Sequence, residues 1–402
     1  MVFDFLRRTP EAVPKMIVEK KASAVGRVVA WGSSGRVAWS PRDAVSLIKT
    51  GFLGNPIGFR AVKVIAEAAA ALPLILQDAN RRYDLHPLLD LMRQPNGAQG
   101  RAELFEAIYG FLLLTGNAYV EAVPGATSLP GELHVLRSDR MNVVPGADGW
   151  PAAYDYVVGG RTHRFPVSED YSPICHIKNF NPQDDHYGLS PMQAAAVAVD
   201  VHGSAATWSK ALLDNAARPS GAMVFKGADG QGTLSAEQYE RLVSEIESHH
   251  QGARNAGRPM LLEGGLDWKP MGFSPSDMEF QKTKEAAARE IAIAFGVPPM
   301  LIGIPGDATY ANYQEANRAF FRLTVLPLAT RVTAALSQWL STFTGEQIEL
   351  RPDLEQVPAL SQERDQLWAR VGAADFLTAD EKRVLLGLPP LSVDVGSGGA
   401  GA

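Results

Sequence analysis

A nucleophile, bases and carboxylates cluster between residues 176 and 190. Ser190 follows Gly188 and Leu189 in "YGLSPM", with His176, Asp184, Asp185 and His186 just upstream; these are the side chains a serine hydrolase would recruit. The local pattern argues for another task. No G-x-S-x-G elbow exposes the serine, whereas Ser190, Pro191 and Gln193 read as a helix N-cap, a first-turn proline and a capping-box partner. "NPQDDHYG" offers Asp184, Asp185 and His186 to a divalent ion, yet such residues are ordinary beside Pro and Gly in a loop. His249 and His250 are adjacent on a helical stretch, so they face different directions and lack the i, i+4 spacing of a shared metal. Neither a resident metal nor a cofactor is expected. The segment "GARNAGRP", residues 252–259, keeps two glycines of a phosphate loop but has Arg258 and Pro259 where Lys and a hydroxyl residue belong. It also leaves a helix, so the dipole points the wrong way for an anion. Gly230 and Gly232 lack the third glycine of a dinucleotide fingerprint, Ser235 standing in its place. Lys282, Lys284 and Arg289 form a modest basic patch on a helix.

The totals narrow the classes further. With 402 residues and 46% hydrophobic content the chain can fold as two or three domains around a substantial core. Its 38 basic and 44 acidic residues give a net charge of -6, so there is no global basic field for tight nucleic-acid binding, and any contact with DNA would be local or sliding. One cysteine, Cys175, cannot form an intramolecular disulfide, and the pattern fits a cytosolic origin. The first 30 residues carry no run of signal-peptide type and are expected to form a flexible arm. The apolar stretch Ala107 to Val120 falls short of the roughly 20 residues that a membrane helix needs, which favours core packing and no membrane partner.

These chemical groups must be held by recognisable elements. "PIGFRAVKVIAEAAAAL", residues 56–72, places Phe59, Val62, Ile65, Ala66 and Ala69 on one helical face. Further helices are expected near 85–92 and 101–114. Then come short β-prone runs, "NAYVEAV", "ELHVLRSDRMNVV", "AAYDYVV" and "RTHRF", separated by Gly-rich turns. Helix starts recur at Ser190, at Ser235 with Gln238, at Ser276 with Glu279, at Asn312 with Glu315 and at Thr378 with Glu381. Between the Ser190 and Ser276 helices lies a small α/β insertion. The Asn312 helix should run to about Leu340 and kink at Pro327, whose ring removes a backbone donor. The class is α+β, and the Gly/Ala tail at 393–402 is expected to be disordered.

The order of these pieces resembles a known family. "LLLTGNAYVEAV", "ICHIKNF" followed by "HYGLSPMQAAAVAV", "ARPSGAMV", "LSAEQYERL", "GRPMLLEGGLDW", "EIAIAFGVPPMLIG", "TYANYQEANRAFFRLTVLPLATRV" and "FLTADEKRVLLGLPPL" are together similar to the portal proteins of tailed bacteriophages, long-tailed phages and gene transfer agents included. The resemblance runs over roughly residues 30–392.

It implies a non-catalytic ring of about twelve copies at one capsid vertex of a virion or phage-like particle, made in a bacterial cytoplasm and serving as a channel for packaging and ejecting double-stranded DNA. Major capsid protein, large terminase and a head-tail adaptor are the implied partners. The implied division is a wing at 31–188, a first stem helix at 189–216, a clip at 217–273 and a second stem helix at 274–297. A tunnel-loop region follows at 298–312, a kinked long helix at 313–345 and a short crown at 346–392. Carried onto this sequence, the tunnel loop is Pro305, Gly306, Asp307, Ala308, Thr309 and Tyr310. Lys282, Lys284 and Arg289 are candidates for channel charge or inter-subunit ion pairs, and Glu245, His249, Arg254, Asn255 and Arg258 for clip docking. The alternatives are a different head-tail connector or adaptor, or a serine hydrolase centred on Ser190.

Overall fold

The computed structural model describes residues 43–78, 81–168, 171–214, 221–225, 266–270, 280–306 and 309–388, with isolated helical positions between 237 and 244. The expected arm, the Ser235 and Ser276 caps, most of the insertion and the C-terminal tail lie outside these residues.

The chain enters through α1 (Ala44–Leu47), capped by Asp43, and continues into a π-helical turn at Ile48–Leu53. Helix α2 (Pro56–Ala70) follows an Asn55 cap that accepts from the amides of Ile57 and Gly58. The turn and α2 sit so close that a side chain at Gly58 would place its Cβ 2.1 Å from the Gly51 carbonyl oxygen. Val62, Ile65, Ala66 and Ala69 are buried as their spacing predicts, but Phe59 is 45% exposed and meets Phe52 at 4.9 Å with the rings tilted by 39°. The next strands, β1 (Leu74–Gln77) and β2 (Arg82–Tyr83), precede α3 (Pro87–Arg93) and α4 (Arg101–Thr115). Helix α3 starts two residues later than expected because His86 caps it and leaves Leu85 outside, 92% exposed. Helix α4 is apolar around most of its circumference because α2, α1 and the β3 strand cover it, which is the core role expected of Ala107 to Leu114.

The β-prone runs become β3 (Asn117–Pro124), β4 (Pro130–Leu136), β5 (Met141–Pro145), β6 (Pro151–Val158) and β7 (Arg161–Pro166). With β8 (Ile174–Lys178) they make two antiparallel three-stranded sheets, ordered β4-β3-β8 and β5-β6-β7. Gly116 and Gly188 meet where β3 begins: a Cβ on Gly116 would lie 2.4 Å from the Gly188 carbonyl oxygen, and Gly116 has φ +79. Only glycine permits both the left-handed backbone and that approach.

The Ser190 helix is broken after one turn into α5 (Pro191–Ala194) and α6 (Ala196–Asp214). Strands β9 (Gly221–Phe225) and β10 (Leu266–Pro270) pair antiparallel within the insertion. Helix α7 (Phe280–Ala294) packs along α6 and buries Ala287, Ala288, Ile291 and Ala292. Small residues on this face let the two backbones approach.

After α7 come a 3-10 turn at Pro299–Ile302, α8 (Tyr310–Phe320), a π-turn at Phe321–Val325 and α9 (Leu326–Thr344). Thr309, three residues before the expected Asn312, is the N-cap; its Oγ1 accepts from the Asn312 amide at 3.2 Å. Pro327 lies at the start of α9, and the irregularity expected there takes the form of the π-turn immediately before it. Residues Ala311–Thr344 are long and apolar enough to cross a membrane. Their apolar side chains Leu328, Val332, Leu336 and Leu340 belong to the same core as α2 and α4, so the composition is that of a core helix.

The residues after 345 first return to the main body. Strand β11 (Glu349–Pro352) pairs antiparallel with β1, Leu74 opposite Pro352 and Gln77 opposite Glu349, and Ile348, Leu350, Val357 and Leu360 join the main core. Both strands are absent from the sequence-based expectation because each is only four residues long, and Gln77 of β1 meets Glu349 of β11 across 272 residues of chain. Helices α10 (Ser361–Gly372) and α11 (Ala379–Leu385), the latter opened by the expected Thr378–Glu381 capping box, follow.

Candidate channel site

The hydrolase constellation does not assemble. Ser190 is 1% exposed, and its Oγ accepts the Gln193 amide at 2.9 Å, as the cap reading requires. No histidine shares a hydrogen bond with it among the described residues. His176 Nε2 pairs with Asn117 Oδ1 at 3.0 Å, and its ring stacks on Tyr119 at 4.3 Å. Burial, helped by the charges of Lys178 and His186, pushes the imidazole down to about 3, so it stays neutral near pH 7 and has no proton acceptor's strength. Asp184 Oδ1 accepts the backbone amides of His186 and Tyr187 at 2.8 and 3.0 Å, closing a turn, and the Asp185 carbonyl accepts from Lys178 Nζ. No group of three or more His, Cys, Asp or Glu side chains gathers as a metal site among the described residues.

The segment between α7 and α8 is built differently. Helix α7 ends at Gly296, whose φ of +65 turns the chain, and the Gly296 carbonyl accepts from Thr324 Oγ1 at 2.6 Å. This bond ties the end of α7 to the π-turn. Val297 is buried, Pro298 and Pro299 lead into the 3-10 turn, and Gly303 reverses direction with φ +81. Ile304 then drops back into a small apolar cluster with Ala288 and Ala292 of α7. Arg289, a candidate for channel charge or an inter-subunit ion pair, donates from Nη2 to the Pro305 carbonyl and so grips the base of the loop. Pro305 and Gly306 are exposed, Asp307 and Ala308 lie outside the described residues, and Thr309 starts α8.

The described ends of the loop lie well inside the tunnel-loop region implied at 298–312. Ile304 is anchored inward, and Tyr310 and Ala311 are already helical. Lys282 and Lys284 are exposed on α7, and Lys284 stands near His202 of α6, whose imidazole is held below its ordinary value by burial and then by that positive charge. His202 Nδ1 also lies 3.3 Å from Asn55 Nδ2, joining α6 to the start of α2. Glu245, His249, Arg254, Asn255 and Arg258 lie outside the described residues. The sequence reading missed the Arg289–Pro305 and Thr324–Gly296 contacts, since neither a lone arginine on a helix nor a threonine in an apolar helix signals a loop anchor.

The arrangement fastens the loop at both ends and, among the described residues, brings no nucleophile, base or metal ligand set to it. Comparison with known proteins agrees with that character. Residues 56–387 match the family model described as "Phage portal protein". A chain in the neck of a native gene transfer agent particle, computed with C12 symmetry, is 72% identical, with 92% of this chain and 100% of that chain covered and a TM-score of 0.69. A chain in the neck of an empty particle, computed with C6 symmetry, is 74% identical over 91% of this chain and 99% of that one, with a TM-score of 0.71. The probable portal protein of Streptomyces phage phiC31 is 26% identical, with 84% of this chain and 75% of its own length covered.

Proposed function

This chain belongs to the phage portal protein family, and from that premise we propose that it forms a ring of about twelve copies at one vertex of a gene transfer agent or phage-like particle, through which double-stranded DNA passes. The similarity to the gene transfer agent neck chain, over nearly its whole length, is the observation that carries this reading. The ring is a structural part and catalyses nothing; energy for translocation comes from a separate terminase docked on the insertion between α6 and α7. Capsid protein surrounds the body built on α2, α4 and the sheets, and a head-tail adaptor later replaces the terminase. The loop at Pro305 to Thr309 lines the passage.

The charge balance suits a conduit. A polyanion sliding through a ring is slowed by every strong phosphate contact, and each contact is repeated around the ring. A subunit of net charge -6 with scattered lysines keeps such contacts few. Electron microscopy of the purified protein tests the assembly: rings with a central hole and near twelve-fold symmetry are expected. A stable monomer or dimer at high concentration in every salt overturns the reading.

A further inference from the structure

An open groove of about 390 Å³ runs between α2 and α4. Its floor is apolar, formed by Phe52, Val62, Ala66, Phe111 and Leu114, and its rim is acidic. At the groove Glu106 pairs with Lys63 at 2.5 Å, which also reaches Glu67 at 2.9 Å, itself 3.9 Å from Arg60, while Glu103, exposed at the mouth, accepts the Gly100 amide at 2.8 Å. Two lining carboxylates, Glu103 and Glu106, thus face one lining lysine. An apolar trench with an anionic edge fits a basic segment carrying large apolar side chains.

We propose that the groove is filled by the subunit's own residues 27–39, "RVVAWGSSGRVAW". The segment repeats a basic-apolar-aromatic pattern, Arg27-Val28-Val29-Ala30-Trp31 and Arg36-Val37-Ala38-Trp39, across a Gly-Ser-Ser-Gly turn. From residue 20 to 42 the chain has basic side chains and no acidic one, the complement of the rim. Reach agrees as well. The described chain starts at Asp43, and α1 with the π-turn carries it to Phe52 at the groove, a rise of roughly 13 Å for nine residues. Four extended residues span roughly 13 Å, so Trp39 folding back along α1 arrives at Phe52, and Trp31 has length to spare. Tryptophan supplies the largest apolar surface of any side chain for such a floor.

The single cysteine makes the test clean. Cys175 is buried, and burial pushes its thiol up to about 12, so it takes no part in surface cross-linking. Cysteines are placed at Val37→Cys and Ala107→Cys in the full chain, with Val37→Cys and Thr162→Cys on the remote β7 as control. Mild oxidation is expected to give an intrachain disulfide in the first pair, read by non-reducing electrophoresis and peptide mapping, and little in the control. Equal yields in both pairs, or a disulfide that joins two chains, overturn the proposal. Independently, trypsin cleavage after Arg36 is expected to accelerate about tenfold in the Trp31→Ala, Trp39→Ala double variant relative to wild type. An unchanged rate overturns it, as does protection in the wild type that appears only after duplex DNA is added.

Discussion

His176 in the β3–β8 region shows how a reactive-looking group is put to structural use. His176 is held neutral between Asn117 and Tyr119, with its imidazole pushed down to about 3 from an ordinary 6.5. The unfolded chain takes up a proton on this residue first, so the contribution of the neutral ring to stability is complete above pH 6.5 and declines as pH falls toward 3. Thermal unfolding across that window should therefore show a steeper fall in Tm for the wild type than for His176→Gln; parallel curves would remove the histidine from the account. The Gly116 and Gly188 contact gives a second expectation. Gly116→Ala combines a left-handed backbone, costing about 1–3 kcal/mol, with the overlap of its Cβ on the Gly188 carbonyl, and should lower Tm clearly. Sequence spacing revealed Ser190 as a cap because cap and amide are three residues apart. It did not reveal the fate of His176, whose partner Asn117 is 59 residues away.

At the scale of elements, the connection between α7 and α8 behaves as a fastened loop. Gly296, Pro298 and Pro299 announce the end of α7 in the sequence, since their backbone restrictions are local. The anchors that define the loop's free length are tertiary, and spacing alone cannot locate them. Arg289→Ala should release the Pro305 carbonyl and increase protease cleavage at the loop while leaving ring formation intact. Thr324→Val should cost about 1 kcal/mol, the worth of one intramolecular hydrogen bond, because it frees the Gly296 carbonyl. Shortening Pro305 to Thr309 should leave rings intact but impair DNA packaging or retention in particles. Normally filled particles from that deletion would exclude the loop from any role in the passage. The Pro327 site was readable as an irregularity, but not as a π-turn, since a proline states only which donor is missing and the neighbours settle how the helix absorbs it.

For the whole molecule, the helices, the main strand runs and the order of parts were legible because each rests on periodicity or on a local turn. The joining of the last part to the first was not. Strand β1 finds β11 only after the chain has made the sheets, both long helices and the insertion between them, and Gln77 then donates to Glu349 at 2.7 Å. This pairing has a consequence for synthesis. A ribosome adding about 5–20 residues per second needs roughly 14–55 s to travel from residue 77 to residue 352. For that interval the inner edge of β1 has no partner, and the core lacks Ile348 and Leu350. A nascent subunit is thus kept unfinished until nearly all of it has been made, and the surfaces that neighbours would grip become rigid late. Ring closure then draws on completed subunits, and a chain stalled before β11 is left out of the ring.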